Sequence, residues 1–318
     1  MRGPLSPRVG LVLGGGAARG LAHLGVLKVL EAERVPVDLI VGCSMGAMVG
    51  TLYALYGNAR DAELRMAEFT SSPHFKQDPY LDLQTMTPLE SDDRGLVSSM
   101  KRFYKMGVFF ATTLFRESYI DPAQFEHDVG AIIPDCLLEE SPTPIALVAT
   151  DLASGQEVVL TSGPARKAVQ ASSAIAGIFP PVQMDGKELV DGGFADKVPV
   201  EVAFRLGADV VIAVDVSSDV QDSQEFSRRG TAISTRAGAI TAETLKRLQM
   251  RFADVVIRPG VQDFHWADFA ALAAIVPKGE EAARASLPAI RRSISRGRWK
   301  RAGRLVGLPR RWRVDLRA

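Results

Sequence analysis

The sequence predicts an α/β protein with parallel strands, and three observations carry that prediction. Two short apolar runs, Val9–Leu13 and Val37–Val41, each end in a glycine loop and each precede a helix-length amphipathic stretch. Short apolar runs alternating with helical patterns are the mark of βαβ units. A third buried run, Val-Val-Ile-Ala-Val within Asp209–Val216, follows a helical pattern at Val200–Leu206. In open sheets of this kind, ligand sites are built from loops at the C-terminal ends of the strands.

The elements follow in order. Residues 18 to 34 form an amphipathic helix with a stripe of Leu21, Leu24, Val26, Leu27 and Leu30, and His23 is a structural residue within it. Met45–Tyr56 and Asp61–Phe69 read as two further helices. Pro73, Pro79 and Pro88 break residues 71 to 120, and Leu96–Phe115 is rich in aromatic residues. That region fits either a cover over a site or plain core. Asp121 caps a helix that has Pro122 at its first position and runs to about Ile133. Ile145–Thr150 and Glu157–Leu160 are strands around a turn at Ser154-Gly155, with Asp151 as a turn former. A helix at Ala165–Ser173 leads to a short strand, Glu188–Val190, ending at Asp191. Beyond Val216 come a polar stretch (217–229), a long helix from about Thr231 to Ala253, a strand Asp254–Ile257 and a helical pattern Lys278–Ser295.

Two loops carry chemistry. Gly42-Cys43-Ser44-Met45-Gly46 fits a nucleophile elbow, in which a sharp strand-to-helix turn lifts a serine out of the sheet. Gly42 and Gly46 are then needed because a Cβ would clash. The following helix aims its dipole at charge developing near Ser44. In the other loop, Gly14, Gly15, Gly16 and Ala17 can turn backbone N–H groups toward one point, as an oxyanion hole. A dinucleotide fingerprint fails because position 19 is Arg19, and no Gly-Lys-Ser/Thr follows to make a Walker A loop. Cys43 sits beside Ser44, and an elbow would point its thiol away from the site.

Gly14-Gly15-Gly16-Ala17-Ala18-Arg19-Gly20 followed by Gly42-x-Ser44-x-Gly46 resembles the patatin-like phospholipase family, and its compact bacterial members in particular. Ala171-Ser172-Ser173-Ala174 leading to Phe179-Pro180, and Asp191-Gly192-Gly193, resemble that family's downstream motifs. The resemblance implies a three-layer α/β/α fold with a mostly parallel central sheet and a helical C-terminal region. It implies a serine hydrolase of lipid carboxylic esters in which Ser44 is the nucleophile, Asp191 the base and Arg19 a support for the glycine loop. Where many members carry Asn-Pro after the Asp-Gly-Gly motif, this chain has Asp196-Lys197.

Composition sets the remaining bounds. The 318 residues are 47% hydrophobic and 24% charged, as in ordinary globular proteins, and two cysteines make no disulfide framework. Residues 8–295 are expected to form one hydrolase domain and 296–318 a basic tail. A cytoplasmic location is expected, with no signal peptide and no spanning segment. Residues 291 to 318 carry eleven Lys or Arg and one acid, whereas the rest of the chain is net acidic. With Trp299 and Trp312 among its arginines, the tail is expected to contact anionic membrane, and no motif points to nucleic acid. No metal or cofactor motif is present, so none is expected. Two rival readings remain: an α/β-hydrolase with a Ser-Asp-His triad, for which His265 is the one histidine after Asp191, and a non-catalytic membrane-associated protein.

Overall fold

A computed structural model of the chain describes residues 6–72, 117–217 and 230–305. Eight strands form one sheet: β1 (Val9–Leu13), β2 (Leu39–Cys43), β3 (Ile145–Asp151), β4 (Glu157–Leu160), β5 (Val182–Met184), β6 (Lys187–Asp191), β7 (Val210–Val214) and β8 (Val255–Ile257). The order is β5-β6-β3-β2-β1-β7-β8, with β4 paired to β3. β3, β2, β1, β7 and β8 are parallel, and the hairpins that bring in β4, β5 and β6 are antiparallel.

Among the described residues the α-helices are α1 (Ala22–Ala32), α2 (Met45–Tyr56), α3 (Ala59–Ser71), α4 (Pro122–Ile132), α5 (Ala165–Ser173), α6 (Val200–Arg205), α7 (Gly230–Met250) and α8 (Leu272–Leu305). Their ends follow from local chemistry. The Asn58 side chain accepts from Asp61 N–H to cap α3, and Asp121 accepts from Ala123 N–H to cap α4 ahead of Pro122. Alternation along the strands sends side chains to two separate cores. Leu11, Leu13, Ile40, Leu147 and Ile212 face a core shared with α1 to α5 and α8. Val12, Val41, Val148 and Val211 face a smaller one with α6 and Met250. The architecture is therefore the expected three-layer α/β/α.

Three boundaries differ from expectation. β5 has only three residues, too few to show a period, and it pairs with β6 through a turn in which Asp185 and Gly186 both have positive φ. β2 begins two residues later than expected, after Asp38, whose N–H and carboxylate are bonded to Val9. α8 runs continuously through both Pro277 and Pro288 and across the expected boundary at 295/296. Gly297 is buried against Pro7 and Val210, and Arg301 pairs with Asp209 at 3.2 Å. The start of the basic segment is thus packed on the domain. Residues 306–318 of that tail, and 73–116 of the expected cover, lie outside the described residues.

α8 is held on α1 at a crossing of two glycines. A Cβ at Gly25 would lie 2.0 Å from the Val276 carbonyl oxygen, and one at Gly279 would lie 1.9 Å from that of Ala22. In an open helix, Gly→Ala stabilises by up to about 1 kcal/mol. Gly238 in α7 has nothing within 4 Å of its missing Cβ and should behave that way. Gly279→Ala should instead destabilise by about 1–3 kcal/mol through overpacking. Urea midpoints of the two variants are expected to move in opposite directions.

Candidate active site

Ser44 stands between the end of β2 and the first residue of α2, with φ 54° and ψ −122°. Among the described residues four non-glycine residues have positive φ, and two of them, Ala17 and Ser44, belong to the two loops at issue. Strain of this kind persists only where the surroundings over-determine it. Here a Cβ at Gly42 would lie 2.6 Å from the Gly46 carbonyl oxygen, and one at Gly46 would lie 2.0 Å from that of Leu13. Gly42 lets the start of α2 fold back onto β2, and Gly46 lets the elbow close down on the end of β1. The Ser44 N–H donates to the carbonyl and the hydroxyl of Ser172, each at 3.1 Å. The Ser44 carbonyl accepts from the Ala47 and Met48 N–H groups and from the Ser173 hydroxyl.

Asp191 reaches the same place from the other hairpin. β3 pairs with β2 as far as Cys43↔Val148, and with β6 from Ala149↔Asp191 onward. Residues 147–150 of β3 also pair with β4, so β2 and β6 share the opposite edge. The elbow and the end of β6 therefore meet at consecutive residues of one strand. Asp191 N–H donates to the Ala174 carbonyl at 2.9 Å, and the Thr150 hydroxyl donates to the Asp191 carbonyl at 3.0 Å. Its carboxylate accepts from Gly193 N–H at 2.7 Å, and the Ser44 side chain lies near enough to favour its charged form. Burial raises the Asp191 pKa, and the Ser44 side chain, the bond from Gly193 and the charge of Lys197 oppose that rise.

The glycine loop lies beside this pair, but not all four of its expected donors are open. Gly14 N–H donates to the Val214 carbonyl and Gly15 N–H to that of Lys197, each at 3.0 Å. These two groups are engaged in tying β1 to its neighbours. Among the described residues, the N–H groups of Gly16 and Ala17 have no protein acceptor. The buried His23 donates from Nε2 to the Gly14 carbonyl at 2.8 Å, and burial holds its pKa down at about 4. It is a neutral strut under the loop. Arg19 donates from Nε to the Phe264 carbonyl, and Ala18 N–H donates to that of Trp266. Arg19 thus joins the loop's far end to the segment after β8.

Cys43 is a correction to expectation. Its thiol does not point away: Sγ lies 3.9 Å from Asp191 Oδ1, beneath the carboxylate. Burial and the facing Asp191 push its pKa well up, which keeps it a neutral thiol. His265 accepts from Ala267 N–H within its own loop and bonds neither Ser44 nor Asp191. Asp151 caps its turn as expected, accepting from Ala153 N–H and the Ser154 hydroxyl.

A cleft with about 600 Å³ of empty space, part of it open to solvent, lies against Ser44 and Ala17. Its walls include Met45, Met48, Met66, Phe69, Val129 and Ile132, with Phe125 stacked on Phe179 at 4.3 Å. The sequence did not reveal this cleft, because an apolar helix face looks the same whether it meets core or empty space. The roles of Ser172 and Ser173 were also missed, although two serines ending a helix before Asp191 were a usable signal. The whole arrangement is an apolar cleft that reaches Ser44 and Ala17, with a buried carboxylate near that serine.

Residues 11–204 match the sequence model of the family described as Patatin-like phospholipase. The chain belongs to the patatin-like phospholipase family. This patatin-like chain is 33% identical over 228 residues to the Mus musculus patatin-like phospholipase domain-containing protein 6. That match covers 71% of the chain and 14% of the mouse protein. It is 34% identical over 210 residues to lysophospholipase NTE1 of Mycosarcoma maydis, over 66% of the chain and 10% of the fungal protein. The patatin-like chain thus spans a small part of the length of these relatives. Among solved structures, VipD from Legionella pneumophila aligns over 91% of this chain and 67% of its own, with a TM-score of 0.44 and 14% identity.

Asp196, at the position where the sequence departs from the family's Asn, is buried next to Glu157. Burial, then the Glu157 carboxylate, raises its pKa to about 8, and its Oδ1 has no partner among the described residues. A carboxyl whose folded pKa is raised keeps a proton that the unfolded chain releases. Its stabilising contribution is full below about pH 4 and is lost as pH rises toward about 8. Asp196→Asn removes this loss. The melting temperature of the variant relative to wild type should therefore increase from pH 5 to pH 8.5, as read by thermal unfolding at each pH.

Proposed function

We propose that the chain is a serine acyl hydrolase of lipid carboxylic esters, of the phospholipase A, lysophospholipase or esterase type. The observation that carries this reading is Ser44, held by a strained elbow near the buried Asp191 carboxylate and lining an apolar cleft. The family and the fungal relative named a lysophospholipase support the substrate class. An acyl chain suits the cleft, whose lining is almost wholly apolar.

The steps follow from the positions. Ser44 Oγ attacks the ester carbonyl carbon while its proton passes to Asp191. The oxyanion accepts hydrogen bonds from the Gly16 and Ala17 N–H groups, at the positive end of the short helical turn that begins at Ala17. Collapse expels the alcohol, which takes the proton from Asp191. Water then gives a proton to Asp191 and attacks the acyl-enzyme, and collapse returns that proton to Ser44 as the fatty acid leaves. A carboxylate is a weak base for a serine hydroxyl, and the burial that raises the Asp191 pKa makes it a stronger one. Action at a membrane face is part of the same proposal. Among the described residues no helix is long and apolar enough to cross a membrane.

A fluorophosphonate probe should label wild type at Ser44 and leave Ser44→Ala unlabelled. Asp191→Asn should reduce kcat on a short-chain ester by at least ~100-fold, the lower end for a general base. His265→Ala should stay within a few-fold of wild type. An inactive His265→Ala beside an active Asp191→Asn would replace the dyad with a triad. Equal labelling of wild type and Ser44→Ala would favour the non-catalytic reading.

A further inference from the structure

α7 is amphipathic in the wrong sense for a helix that only packs on its own domain. Its inward side is charged. Lys246 is buried, with Nζ 2.7 Å from Glu243, 2.7 Å from the Ser217 hydroxyl and 3.3 Å from Asp215. Its outward side is apolar: Ile233, Ile240, Leu245 and Leu248 are between 39% and 49% exposed, as is Phe252 just past its end. At about 100° per residue the four within the helix fall on one face, opposite Glu243, Lys246 and Met250.

The helix also extends past the sheet on the side of the site. Lys246 is level with Asp215, just beyond the end of β7, whereas Asp254 is bonded back to Val211 within that strand. α7 therefore runs antiparallel to β7. Its sixteen residues before Lys246 continue beyond the C-terminal edge of the sheet, the edge that carries Ser44 and the glycine loop. At 1.5 Å per residue they span about 24 Å. Residues 237 to 242 are exposed without a break, so no face of that stretch is covered by other described residues.

Charge selects the occupant. From Gly230 to Ala253 the acidic residues number one, Glu243, and it is buried in the Lys246 cluster. Arg236 and Arg247 border the apolar face, and just past the helix Arg251 lies over the Phe252 ring. An apolar stripe flanked by arginines suits the headgroup and acyl boundary of an anionic bilayer. We infer that the outward face of α7 docks the enzyme on anionic lipid surfaces, with the Ser44 edge of the sheet toward the membrane. This inference rests on the lipid-hydrolase reading for its purpose, but not for its test.

The test uses full-length protein carrying Ser44→Ala, so that hydrolysis does not alter the vesicles, with and without the exposed changes Ile233→Glu, Ile240→Glu and Leu248→Glu. Flotation with vesicles of phosphatidylcholine and phosphatidylglycerol should show at least ten-fold weaker partitioning for the triple variant. Binding of the parent should fall when phosphatidylglycerol is omitted. The same three changes in the Ser44 enzyme should leave kcat/KM on a soluble short-chain ester within two-fold and reduce turnover of vesicle phospholipid. Unchanged partitioning overturns the inference, as does equal binding to neutral vesicles. Unchanged partitioning together with a wild-type dimer that the triple variant abolishes in sedimentation would assign the face to a second copy of the chain. An enzyme that binds vesicles through α7 but turns over no ester would overturn the hydrolase reading alone.

Discussion

A strand edge offers one row of hydrogen-bonding groups, and β3 divides its row between two partners. Up to Val148 the row is taken by β2, which ends in the elbow, and from Ala149 by β6, which begins its pairing at Asp191. The serine and the carboxylate come from segments almost 150 residues apart in sequence, yet adjacent residues of a central strand set their separation. α5 reinforces the junction from one side. Ser172 donates to the Val148 carbonyl at 2.6 Å while accepting from Ser44 N–H, and Ala174 accepts from Asp191 N–H. A register slip in β3 would move both residues and detach both from α5. The rest of the sheet and both helical layers hold that one strand in place.

The protein interior treats its acids in different ways. Asp215 and Glu243 are buried with Lys246 between them, an arrangement in which each charge has a partner. Asp196 is buried beside another carboxylate and holds its proton. Asp191 lies between these cases. Among the described residues it has hydrogen bonds and no ion pair, so its charge is tolerated without being fixed. The neutral Cys43 thiol beneath it adds a weak donor and no charge.

What the sequence disclosed and what it hid separate on physical grounds. Gly42, Ser44 and Gly46 were legible because close backbone contact admits only glycine, and such spacing is written in residue types. The parallel strands were legible because burial on both faces leaves continuous apolar runs. Which loop N–H groups are open was not legible, since Gly14 and Gly15 look like Gly16 until the neighbouring Val214 and Lys197 carbonyls are placed. Cys43 was misjudged because the carboxylate it meets comes from a distant hairpin. α8 was read only from Lys278 to Ser295, whereas it runs from Leu272 to Leu305 through both Pro277 and Pro288. The packing of α8 on α1 at Gly279 and on β7 at Gly297 outweighs the hydrogen bonds that two prolines remove.

The β5–β6 hairpin turns at Asp185-Gly186, both in left-handed conformations, at the rim of the sheet. Asp191 takes its position from Ala149 and Ala174 at the other end of β6, so the length of that turn does not enter the placement of the carboxylate. The rim is therefore an attachment point. A peptide tag, a protease site or a small fluorescent domain spliced between residues 185 and 186 would ride on the sheet's edge and leave the geometry around Ser44 and Asp191 undisturbed.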